Sequence, residues 1–128
     1  MRMIFVTLPV KDIAAARAFF TGLGFRFDPA HSDDEAACLV VDRNIFVMLL
    51  VEERFRDFLT GEVAGPGTTE VLTSLSVDSR AEVDRIVARA VATGGRPWRP
   101  PVEVGPMYGH SFQDPDGHVW ELVHTAPG

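Results

Sequence analysis

Cysteine is nearly missing from this sequence: its 128 residues hold one, Cys38. An internal disulfide is thereby excluded, and the composition fits a reducing compartment. Long apolar runs are missing too. The longest is Ile45-Phe-Val-Met-Leu-Leu-Val51, far too short to span a bilayer, so no membrane partner is expected. Positive charge is thin, with 12 Lys and Arg against 18 Asp and Glu for a net charge of −6. The arginines stand singly, leaving no basic stripe to follow phosphates, and nucleic acid is disfavoured as a partner. The opening residues run straight into strand-like sequence with no secretory signal, which makes the cytoplasm the expected location. No histidine pair has metal-ligand spacing on a helix, and there is no Cys/His cluster.

What is present is enough apolar side chain, 46% of residues, for the core of one domain spanning 1–128. Ile4 to Val10 is rich in β-branched and aromatic residues and predicts a strand. Asp12 then stands as an N-cap for a helix over Ile13 to Gly22, with Ile13, Ala16, Phe19 and Phe20 at helical spacing and Gly22 and Gly24 as its stop. A short strand at Phe25 to Asp28 follows, then a turn at 32–35 and strands at Ala37 to Val41 and Ile45 to Val51. Glu52 to Thr60 has the spacing of a short helix, and 61–69 is a linker by composition.

The second half repeats this order. A strand is predicted at Val71 to Val77, a cap at Asp78 or Ser79, and a helix over Ala81 to Thr93 with Val83, Ile86, Val87 and Val91 on one face. A turn-rich segment with Pro97, Pro100 and Pro101 comes next. Strands near Tyr108 to Gln113 and His118 to His124 flank Asp114-Pro-Asp-Gly117, a strong turn signal. Laid over one another, Val10 falls on Val77, Gly24 on Gly94 or Gly95, and Asp42 on Asp114. The pattern predicts an α+β fold of two tandem βαβββ units, repeats 1–60 and 70–128, forming a curved mixed sheet around a cleft.

Leu8-Pro-Val-Lys-Asp12, the helix, and Gly22-Leu-Gly-Phe25 resemble the opening of the vicinal-oxygen-chelate superfamily. The close, Phe112-Gln-Asp-Pro-Asp-Gly-His-Val-Trp-Glu121, is similar to its second signature. Glyoxalases, extradiol dioxygenases, fosfomycin-resistance transferases and bleomycin-binding proteins share that fold while performing unrelated chemistry. The resemblance implies a divalent metal held in the cleft at four positions, which in this chain are Phe5, Met48, Leu72 and Glu121. Three are apolar, so no metal is expected there.

The resemblance puts Glu121 on the cleft-lining face of its strand, where the bland alternative is an ordinary surface carboxylate. Tyr108, His110 and Phe112 share one face of the preceding strand, and Tyr108 and His110 are read as further polar anchors. A lone His is more often structural than catalytic. His118 is expected at a solvated strand end, Cys38 as a small buried hydrophobe, and most aromatic residues as core. The resulting reading is a metal-free small-molecule-binding protein, similar in logic to bleomycin-binding members. It would take an apolar or cationic ligand over Phe5, Met48, Leu72, Tyr108, His110 and Glu121. The alternative is a glyoxalase-like lyase or isomerase, or a dioxygenase, with Glu121 as base or metal ligand. A homodimer is implied by the resemblance.

Overall fold

The computed structural model describes residues 1–65 and 67–127, gathered into two units, Met1–Gly65 and Pro66–Gly128. Of the expected linker, position 66 lies outside the described residues. In the first unit Asp12 fixes where the helix begins, its Oδ1 accepting from the Ala15 N–H at 2.9 Å. The elements run β1 (Ile4–Val10), α1 (Ile13–Gly22), β2 (Arg26–Phe27), β3 (Ala36–Asp42), β4 (Ile45–Val51) and α2 (Glu52–Arg56), with a 3-10 turn at Pro29–His31. The sheet order is β1-β4-β3-β2, with β1 parallel to β4 and the other pairs antiparallel. Alternation sorts its side chains. Leu8, Val10, Val47 and Leu49 are buried, as are Ile13, Ala16, Phe19 and Phe20 of α1, while Phe5 and Thr7 are exposed.

The second unit repeats the scheme: β5 (Leu72–Ser76), α3 (Arg80–Ala92), β6 (Arg96–Pro97), β7 (Val102–Val104), β8 (Met107–Gln113) and β9 (Val119–Thr125). Its sheet runs β5-β9-β8-β6, with β7 also on β8, and β5 is parallel to β9 as β1 is to β4. Ser79 is the cap, accepting from the Glu82 N–H at 3.1 Å. Both long helices end alike, with Gly24 at φ +102 and Gly94 at φ +118. The Phe25 N–H reaches back to the Phe20 carbonyl, and the Gly95 N–H to that of Ala90. Only glycine takes that left-handed turn cheaply, and Gly94 is therefore the counterpart of Gly24.

Several expectations are corrected here. α2 stops at Arg56 rather than running on to Thr60, and Phe58 is exposed, not core. Ala90, not Val91, completes the buried stripe of α3. The proline-rich segment hides two short strands, β6 and β7. His118 is buried, its Nδ1 2.7 Å from Glu70 Oε1. Cys38 is buried as expected, and burial pushes its thiol pKa up, which suits an inert side chain. Among the described residues no helix is long and apolar enough to cross a membrane.

Candidate functional site

Parallel pairing places the sequence-derived positions in matching rows of the two sheets. In the first unit Thr7 lies opposite Met48, two residues beyond the Phe5–Phe46 pair. In the second, Ser74 lies opposite Glu121, two residues beyond the Leu72–Val119 pair. Phe5 and Leu72 therefore hold equivalent places on first strands, and Met48 and Glu121 on last strands.

On the first sheet the face bearing these residues is mostly apolar, with Thr7 in the Met48 row and Arg26 in the Phe46 row. The Phe5 and Phe46 rings stack 5.0 Å apart at 14°, and Phe5 is 54% exposed. Met48 stands in the next row, half-buried. On the second sheet Leu72 is 55% exposed, and Glu121 is half-buried. The Ser74 hydroxyl donates to Glu121 Oε1 at 2.8 Å. Ser111 is paired with Glu121 across β8 and β9 and is almost fully buried, and among the described residues its Oγ has no hydrogen-bond partner.

Tyr108 and His110 do not join this row. Their β9 partners are His124 and Leu122, which places them on the opposite sheet face from Glu121. Tyr108 donates to Asp84 Oδ1 of α3 at 2.5 Å, and His110 Nδ1 lies 3.7 Å from that oxygen. The Arg80 guanidinium covers the Tyr108 ring, 4.2 Å from its centroid, and also pairs with Glu103. The cluster ties the start of α3 to β8 and β7. The hydrogen bond to the Asp84 carboxylate, and then burial, push the Tyr108 phenol above its ordinary pKa.

Tyr108 is the sole tyrosine, so a spectrophotometric pH titration reads it alone. Its ionisation is expected above the ordinary tyrosine value and should fall in Asp84→Asn. The folded pKa is the raised one, so the stability this group adds is complete below the unfolded value. It is lost as pH rises through the folded one. Tyr108→Phe is expected to cost about 1–2 kcal/mol. An unshifted titration curve would remove Asp84 as its partner.

Among the described residues no three His, Cys, Asp or Glu side chains are grouped to hold a metal. The sequence reading missed Ser74, Gly109 and Ser111. The alternation of β8 carries two of them, since Gly109 and Ser111 fall between Tyr108, His110 and Phe112.

The Glyoxalase/Bleomycin resistance protein/Dioxygenase superfamily model matches residues 2–122. Among solved structures, a hypothetical protein from S. aureus is 25% identical, with a TM-score of 0.81 over 97% of this chain and 94% of that one. A glyoxalase/bleomycin resistance protein/dioxygenase family enzyme from Burkholderia phytofirmans is 21% identical, covering 98% and 100% at a TM-score of 0.81. A fosfomycin resistance protein from Listeria monocytogenes is 19% identical, covering 98% and 94% at 0.69. No curated protein matches the chain.

Proposed function

The chain belongs to the glyoxalase/bleomycin resistance protein/dioxygenase superfamily, and from that membership we propose that it is a cytoplasmic small-molecule-binding protein that works without the family's divalent metal. The observation that carries this reading is the donor set at the four positions where the resemblance puts metal ligands. Phe5, Met48 and Leu72 offer two hydrocarbon side chains and a thioether, and only Glu121 offers oxygen. A divalent ion gives up its hydration shell only for several nitrogen, oxygen or thiolate donors. A thioether is a poor ligand for magnesium, manganese, nickel or zinc. The residues present do not fit the metal.

The same side chains suit another use. A stacked, half-exposed aromatic pair beside a flexible methionine is an adaptable apolar surface. The net charge of −6 favours a ligand that carries positive charge over one that is anionic. Glyoxalase-type isomerisation and extradiol cleavage rely on the metal as electrophile, which leaves binding as the reading these residues favour.

Two measurements test it. After incubation with nickel, manganese, zinc and iron and then gel filtration, elemental analysis is expected to find no stoichiometric metal. Benzyl alcohol, a neutral aromatic probe, is expected to shift the NMR signals of Phe5, Phe46 and Met48 saturably. Phe5→Ala should weaken it about tenfold, the scale of one lost aromatic contact. A full equivalent of tightly held metal, or no saturable shift at these residues, would overturn the proposal.

A further inference from the structure

Glycine in the middle of a strand calls for a reason, because it weakens the strand and offers nothing to pack. Gly109 sits mid-strand in β8, and its φ is not among the positive values. The backbone therefore does not require glycine there. Space does. A Cβ at Gly109 would lie 3.3 Å from Glu121 Oε2 and 3.4 Å from Val123 Cγ1. The Glu121 carboxylate thus leans from β9 across Gly109, while its other oxygen, Oε1, takes the Ser74 hydrogen bond from β5. Ser111, also on this face, keeps a buried hydroxyl with no partner among the described residues.

Among the described residues no Lys, Arg or His forms an ion pair with Glu121. A carboxylate has about four lone-pair sites, and the Ser74 hydroxyl fills one. Among the described residues the charge on Oε2 has no counterion, and the strongest complement to it is a charge-assisted N–H donor.

We infer that Ser74 and Gly109 are positioning residues that lay the Glu121 carboxylate flat on the sheet, with Oε2 presented to the protonated amine of a ligand. This rests on the reading of the chain as a small-molecule-binding protein and narrows its ligand to molecules bearing an ammonium or amidinium group. An alanine at 109 would lift the carboxylate, and loss of the Ser74 hydroxyl would let it swing.

The test titrates the full chain at neutral pH with benzylamine and with benzyl alcohol, which keeps the ring and loses the charge, each followed at the Ser74, Gly109 and Glu121 amides of the second unit. Benzylamine is expected to bind about tenfold more tightly, the scale of one charge-assisted hydrogen bond, and to shift the Glu121 and Gly109 amide signals. That preference, read as the ratio of the two affinities, should collapse in Glu121→Gln, Gly109→Ala and Ser74→Ala. Ser74→Thr, which keeps the hydroxyl, should restore it. A merely structural role would move both probes together and leave their ratio intact. Should Gly109→Ala fail to fold, the two serine variants decide the matter. Equal affinities in the parent, or a preference surviving Glu121→Gln, would overturn the inference while alcohol binding still upheld the broader reading. If neither probe bound, both would fall.

Discussion

Replacing Asp114 by alanine is expected to cost about 3–5 kcal/mol, the sum of stranding several buried donors at once. The Asp114 carboxylate organises the turn between β8 and β9. Oδ1 accepts from the N–H groups of Asp116 at 2.9 Å and His118 at 3.0 Å, and Oδ2 accepts from Trp120 Nε1 at 3.0 Å. Trp120 is 1% exposed, so water has no route to its indole N–H once the carboxylate is gone. Gly117 takes φ +86 within the same turn. Urea unfolding should show a lower midpoint with an unchanged slope. A loss below about 1 kcal/mol, the scale of one ordinary hydrogen bond, would mean the turn holds without its carboxylate.

The same residue predicts a pH dependence of unusual sign for an aspartate. Burial raises its pKa, and the nearby His118 and the hydrogen bonds from Trp120 and the His118 backbone only partly oppose this. With the folded value above the unfolded one, the folded state favours the protonated acid. The stability this group contributes is therefore complete below the unfolded value and shrinks as pH rises through the folded value. The gap between parent and Asp114→Ala should widen on acidification across that window. Asp28 behaves oppositely. Its hydrogen bond with His31 lowers its pKa, so what it adds is present at neutral pH and fades as pH falls.

Phe20→Ala should be comparably damaging in the first unit, at about 3–5 kcal/mol. The side chain is 1% exposed. Its ring meets Phe19 edge-on at 5.0 Å and Phe25 at 6.1 Å. Truncation removes the middle member of that chain of rings and leaves a cavity that rigid neighbours on α1 and the sheet cannot close. Phe20→Leu, which refills most of the volume, should recover more than half of the loss. If alanine and leucine proved equally costly, ring packing would not be the source.

The first half of the fold was legible because its punctuation is unambiguous. Asp12 caps, Gly24 stops, and β1, α1 and β4 begin and end at the residues their patterns name. The second half was harder around Pro97, Pro100 and Pro101, where turn chemistry masks β6 and β7. Both are short strands on the outer side of β8, where a missing N–H is tolerated.

At the site, alternation correctly put Tyr108, His110 and Phe112 together. It could not say which way they face, because both faces of β8 mix polar and apolar residues. Only the pairing of Phe112 with Trp120 and of Ser111 with Glu121 decides that. For the same reason Gly109 carried no message until a carboxylate was found lying over it.

The parallel pairing of first strand with last also sets a timetable. As the chain emerges during synthesis, Ile4 must wait for Ile45, and Leu72 must wait for Val119. Neither sheet can close until its final strand arrives to sit between the first strand and the hairpin partner. Until then the apolar stretch from Met3 to Val10 is nascent, unpaired and open to whatever meets it. The closing of each loop is a late and slow event. The newborn protein is most vulnerable in the interval when a first strand is made and its partner is not.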